Sequence, residues 1–175
     1  MNKKFLFLIC LILFIFTVSS VSATDANQTE NVLSADAGTF SQLQDTINNA
    51  ENGSTVNLDK NYVYNGGENI KIDKDITING NGHMIDGNHA TRIFNIEYAE
   101  VVLKNIVFAN ALSSDDGGAI LTYTSNIEID NCSFINNAAG DYGGAIYAEY
   151  TYLSIDNSLF LNNSADSGAA IYFIS

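Results

Sequence analysis

The sequence contains no proline and no tryptophan, and only two cysteines, Cys10 and Cys132. Without proline, no turn relies on a locked φ and no backbone N–H is missing from any strand. Basic residues are scarce, 7 against 20 acidic, for a net charge of −13. Such a surface repels nucleic acid and anionic lipid; it favours solubility, cations, and neutral or basic partners. Long apolar stretches are also lacking. The single run, Phe5–Phe16, interrupted only by Cys10, falls short of the ~20 residues a spanning helix needs.

That run follows Lys3 and Lys4 and precedes Val21–Ser22–Ala23, with small residues at −3 and −1. The pattern predicts a signal peptide over residues 1–23, cleaved after Ala23, and hence a secreted or cell-surface protein. Lipoprotein processing at Cys10 is disfavoured, because this cysteine sits inside the apolar run behind the bulky Ile9. Cleavage leaves 152 residues, one domain by length, with 5 basic and 20 acidic side chains and a net charge of −15. It also leaves Cys132 alone, so no intramolecular disulfide can form. No membrane span is expected in the mature chain.

Asparagine is abundant instead, with 23 copies. It tolerates left-handed backbone, and its amide can both donate and accept along a column of like neighbours. The asparagines fall in a repeat. Asn105–Asn110, Asn131–Asn136 and Asn157–Asn162 start 26 residues apart, and Gly117–Ile120, Gly143–Ile146 and Gly168–Ile171 recur at 26 and 25. A period of that size marks a solenoid, in which no turn buries its core alone. Val101 and Leu103 are matched by Ile127 and Ile129 and by Leu153 and Ile155; Phe108, Phe134 and Phe160 form another column. Short alternating strands stacked on their own copies make a parallel β-helix, with about five turns over residues 54–175.

Residues 24–37 are polar, small and aperiodic, and read as a disordered leader. Residues 38–53 read as an N-terminal capping helix: Phe40, Leu43, Ile47 and Ala50 form an apolar stripe, Thr39 and Gln42 a capping box, and Asn52–Gly53 a stop. Asn105, Asn131 and Asn157 are expected to form an inner asparagine ladder, flanked by the Phe108, Phe134 and Phe160 stack. The Gly-Gly pairs are expected at the opposite corner, supplying backbone freedom and returning the chain to the core. The last residues, Ile171–Ser175, form an uncapped apolar strand. The expectation is a chain truncated at its C-terminus, with end-to-end self-association through the open turn as the alternative.

The pairing of Gly-Gly-Ala-Ile with Phe-x-x-Asn (Gly117–Ile120, Gly143–Ile146, Phe134 with Asn137, Phe160 with Asn163) resembles the repeats of chlamydial polymorphic outer-membrane proteins. The first copy departs at Ala111 and the last at Ala169. The wider pattern is similar to the adhesin-like β-helix proteins of methanogenic archaea. It comprises the signal, the Phe40–Ala50 helix, Asp75–Gly82 with Ile85–Asp86–Gly87, and Val102–Ile106. The resemblance implies a right-handed, pectate-lyase-like β-helix at the cell surface, with a role in adhesion. Such proteins are usually longer and carry a C-terminal anchor, a pattern this sequence does not display.

Several residue groups are weighed as sites. His83, Asp86, His89, Arg92 and Glu97 cluster in a glycine-rich turn, but their spacing matches no metal motif and suits solvated turn chemistry. Asp115, Asp116, Asp141 and Asp166 recur beside the glycine motifs; loop solubility is the simpler reading, with weak calcium binding the alternative. No other cofactor is implied, and Cys132 reads as a small core residue. Tyr147, Glu149, Tyr150 and Tyr152 could form an exposed aromatic patch for a glycan or a surface protein, set against packing between turns. Asn27 and Asn52 are the sequons expected to accept glycans, whereas Asn131 is expected to be protected inside the ladder. The leading functional reading is a non-enzymatic adhesin-like protein. A carbohydrate-active enzyme or its binding remnant is the alternative, and an inactive fragment the third.

Overall fold

The computed structural model describes residues 36–175; the signal segment, most of the leader and Asn27 lie outside the described residues. Strands of two to five residues are too short to stand alone, so each finds its partner in the equivalent strand of the next turn. With strands numbered in chain order, the first face holds β2 (Ser54–Asn57), β5 (Ile76–Asn79), β8 (Glu100–Lys104), β12 (Asn126–Asp130) and β16 (Tyr152–Asp156). The second holds β1 (Gly38–Thr39), β3 (Tyr62–Val63), β6 (Met84–Asp86), β9 (Val107–Ala109), β13 (Ser133–Ile135) and β17 (Leu159–Leu161). The third holds β4 (Ile70–Ile72), β7 (Phe94–Glu97), β11 (Ile120–Tyr123), β15 (Ile146–Glu149) and β18 (Ile171–Ile174). A short pair, β10 (Leu112–Ser113) and β14 (Ala138–Ala139), links the second face to the third in the middle turns. Every pairing is parallel, and five turns stack into the β-helix that the repeat predicts.

Alternation sends one side chain in two to the interior. Ile70, Ile78, Ile85, Ile96, Leu103, Ile120 and Ile129 are fully buried, as are Phe94, Phe108 and Phe134. Phe108, Phe134 and Phe160 stack with ring centroids 4.8 Å apart, the spacing of adjacent turns. Each buried Ile or Phe contributes roughly 1.5–3 kcal/mol of transfer free energy.

Helix α1 (Phe40–Asn49) lies at the N-terminal end and buries Phe40, Leu43 and Ile47. Its capping box is formed: Gln42 N–H donates to Thr39 Oγ1 and Thr39 N–H to Gln42 Oε1. The helix stops at an extended Ala50, before Asn52–Gly53, and Lys74 Nζ donates to the Asn48 and Ala50 carbonyls. Gln44 meets both backbone groups of Lys71 on the edge strand β4, accepting its N–H at 2.7 Å and donating to its carbonyl at 3.0 Å. That contact blunts an otherwise open edge.

The glycine motif works through two separate constraints. Gly117, Gly143 and Gly168 lie at φ 57°, 66° and 63°. Gly118 and Gly144 face the turn above, where an added Cβ would stand 2.1 Å from the carbonyl oxygens of Gly144 and Ala169. No side chain fits there.

The inner asparagine ladder requires a correction. Asn105, Asn131 and Asn157 lie at a corner with positive φ, and Asn131 and Asn157 are exposed. Asn131 Nδ2 donates to Asn105 Oδ1 (2.7 Å) and Asn105 Nδ2 to Asn79 Oδ1 (2.9 Å), but Asn157 turns to Asp130 Oδ1. These asparagines stand where the backbone needs a left-handed residue and where water competes for the amide. The buried ladder is formed by the asparagines of the Phe-x-x-Asn motif. Asn137 is wholly buried; it accepts the Ala111 N–H and donates to the Phe108 carbonyl. Asn163 repeats this one turn on, accepting from Asn137 N–H and donating to the Phe134 carbonyl.

Candidate functional site

The most distinctive corner is the one between the third face and the first. Among the described residues, twelve that are not glycine take positive φ, and eight of these are asparagine. Tyr98, Thr124 and Tyr150, at φ 55°, 48° and 47°, occupy equivalent positions at this corner in three successive turns. Bulky and β-branched residues are disfavoured there, and the three other left-handed positions of the repeat use asparagine (Asn105, Asn131 and Asn157; Asn110, Asn136 and Asn162) or glycine (Gly117, Gly143 and Gly168). Hydroxyls from the residues that follow hold the strained corner. Ser125 Oγ accepts the Ala99 N–H and Thr151 Oγ1 the Ser125 N–H; these hydroxyls donate in turn to the carbonyls of Tyr123 and Glu149. Ser125 and Thr151 are buried, so the ladder satisfies backbone groups that water cannot reach.

The sequence of large, small and large side chains leaves a gap. Tyr98 and Tyr150 project 69% and 57% exposed, two turns or ~10 Å apart, with Thr124 between them. Together with Asp75, Ala99, Glu100, Ser125 and Asn126 they line a notch of about 490 Å³. Tyr123 braces both walls, its ring meeting Tyr98 at 6.1 Å and Tyr150 at 5.7 Å in edge-on contacts. A second trough of about 540 Å³ continues onto the outside of the first face and shares Glu100 and Asn126 with the notch. Its other polar residues are Glu128, Ser154 and Tyr152, the last 72% exposed. Glu100, Asn126 and Tyr152 are register partners, as are Val102, Glu128 and Ser154, so the trough presents two straight rows of side chains. Asp75 accepts the Glu100 N–H (2.8 Å), extending the first row down one turn.

The aromatic patch expected from Tyr147, Glu149, Tyr150 and Tyr152 is not one face. Tyr147 is only 8% exposed, covered by Tyr142 and by a parallel Tyr172 ring, and its hydroxyl donates to Glu149. Burial and that bond push the Tyr147 hydroxyl up to about 12. Tyr150 belongs to the notch and Tyr152 to the trough, because a corner lies between β15 and β16. Tyr98, Asp75 and Glu100, which complete the site, went unnoticed in the sequence. Their signal was available: Tyr98 lies 26 residues before Thr124 and Thr124 26 before Tyr150, at a position where turns prefer asparagine or glycine.

The acidic residues beside the glycine motifs have separate environments. Asp115 pairs with Arg92 (2.9 Å) and accepts from Ser113, and the Ser113 bond, ahead of Arg92, lowers its carboxyl. Asp116 is raised, chiefly by desolvation and then by its acidic neighbours Asp115 and Asp141, and its Oδ1 has no hydrogen-bond partner. Asp141 and Asp166 are exposed. Among the described residues, no group of three His, Cys, Asp or Glu side chains is placed to hold a metal ion. Arg92 leaves the His83–Glu97 cluster altogether. Its guanidinium reaches the Gly117 and Asp116 carbonyls and Ser113, clamping the loop of the next turn. Cys132 is buried, and burial pushes its thiol up to about 11. Asn52 is exposed, although its Oδ1 accepts the Asp75 N–H. Asn131, expected to be protected, is exposed as well.

The architecture is that of a repeat β-helix whose lateral surface carries ordered rows of side chains. Residues 131–149 and 157–174 match the family model of the Chlamydia polymorphic membrane protein (Chlamydia_PMP) repeat. The two matched segments are the fourth and fifth turns from the Asn corner through the glycine motif to the third face. Fold and match together fit a repeat protein of surface type. No curated protein and no solved structure matches the chain. Among the described residues, no helix is long and apolar enough to cross a membrane.

Proposed function

We propose that the protein is a secreted or cell-surface, adhesin-like β-helix that binds a glycan without transforming it. The observation that carries this reading is the placement of Tyr98 and Tyr150 at strained left-handed corner positions, exposed on either side of Thr124. Backbone strain held at an exposed aromatic pair, with its own buried hydroxyl ladder beneath, is a cost that a purely structural turn would avoid by using asparagine. Exposed tyrosines two turns apart supply rigid stacking walls; Glu100 and Asn126, with Asp75 one turn below Glu100, supply hydrogen-bonding groups beside them. No lysine, arginine or histidine lines the notch, and Asp75 is already bonded to backbone, which favours binding over acid–base chemistry. Self-association through the fifth turn is a second element of the reading. It is favoured by exposed Leu159, Leu161 and Phe173 on that turn.

The test is glycan capture by the purified protein across a panel of cell-wall and mucin-type polysaccharides. Tyr98→Asn with Tyr150→Asn, which keeps a residue suited to positive φ, should abolish capture while leaving the β-sheet circular dichroism and melting unchanged. Capture by the double variant at the wild-type level would remove the corner from the account.

A further inference from the structure

Resting on the glycan reading above, we infer that the notch and trough select a saccharide chain carrying free amines, of the glucosamine-polymer class, over neutral or uronate chains. Two adjoining cavities that share Glu100 and Asn126 suit a chain longer than one sugar. Every ionisable carboxyl or amine group lining them is acidic: Asp75 and Glu100 in the notch, Glu100 and Glu128 in the trough. The sequence neighbour Lys74 is turned away, its Nζ bonded to the helix carbonyls of Asn48 and Ala50. Glu100 and Glu128 sit on adjacent strands one turn apart, offset by two residues, so their carboxylates stand on different rows of the trough. An ammonium group on the ligand would meet a carboxylate on either row, and the tyrosine walls would add cation–π attraction. A uronate chain would bring its own carboxylates against these, on a protein already at −13. Val102, in the same row as Glu128, supplies an apolar surface for the sugar ring.

Titration calorimetry on the purified chain would compare glucosamine, N-acetylglucosamine and galacturonate oligomers of equal length, with oligolysine as a fourth probe. The glucosamine oligomer should bind about tenfold or more tightly than the acetylated one, as expected for two or three partly exposed ion pairs. Its affinity should fall with added salt, and the galacturonate oligomer should not bind. Thr124→Tyr, which completes the tyrosine column and fills the notch, should eliminate binding of both amino-sugar oligomers. Glu100→Gln with Glu128→Gln should bring the glucosamine oligomer down to the acetylated level. Equal affinity for the glucosamine and acetylated oligomers would overturn the amine selection while the glycan reading stands. Oligolysine binding as tightly as glucosamine, and unaffected by Thr124→Tyr, would overturn it in favour of a cationic peptide. Binding of no saccharide would remove both readings.

Discussion

At the scale of single residues, asparagine has two different duties in this chain, and they predict different costs. Asn137 accepts one buried backbone N–H and donates to one buried carbonyl, so Asn137→Ala orphans groups that water does not reach. A loss of about 2–4 kcal/mol is expected. Asn131 makes its bond at an exposed corner, and Asn131→Ala should cost about 1 kcal/mol, mostly through the left-handed backbone. Urea midpoints of the two variants check the order, and equal midpoints would contradict the assignment of the buried ladder. Burial also sets a pH dependence. Cys132 rises from 9.0 to about 11 and Tyr147 from 10.0 to about 12. Both groups hold their protons more tightly folded than unfolded, so the stability they contribute is complete below about pH 9. It is lost as pH rises through the folded values. Melting temperature should therefore fall from pH 9 to 12, less steeply in a Cys132→Ala, Tyr147→Phe variant.

At the scale of elements, corners constrain the fold more than strands do. Any inward β-branched or aliphatic residue can fill a strand, since each contributes by area and alternation. The second glycine of the motif has no substitute at Gly144, because a Cβ there would meet backbone atoms of two segments of the turn above, although Ala169 fills the matching position of the last copy. Gly144→Ala should destabilise by more than about 3 kcal/mol and should broaden the transition measured by circular dichroism. By contrast, the capping box of α1 is exposed and local. Thr39→Ala should cost about 1 kcal/mol, visible as a small shift in the urea midpoint.

At the scale of the whole molecule, stacked turns interact with nearest neighbours, so a turn can be removed if the register is kept. Asn126 and Tyr152 are register partners 26 residues apart. Deleting residues 126–151 joins Ser125 to Tyr152 and sets the fifth turn on the third. The shortened protein should retain a β-rich spectrum with a lower melting temperature. It should also lose glycan capture, because Tyr150 of the notch and Asn126, Ile127 and Glu128 of the trough go with the deleted turn. A deletion that unfolds the chain outright would show coupling beyond adjacent turns.

The sequence by itself determined the solenoid, its period, its five turns, its N-terminal helix with the capping box, and the columns of inward residues. These follow from local rules, alternation and cap chemistry, repeated at intervals that can be counted along the chain. Where a repeat position lies around the cross-section was decided only by the tertiary structure. Asn131 and Asn137 are six residues apart in the same repeat, yet a corner leaves one in water and seals the other in the core. Tyr147 and Tyr152 are five apart, yet a turn of the backbone at Tyr150 sends them to different faces. The notch depends on that same turn, because its walls, floor and carboxylates come from successive turns 23 to 26 residues apart. They meet only once the backbone has closed each loop over the one before.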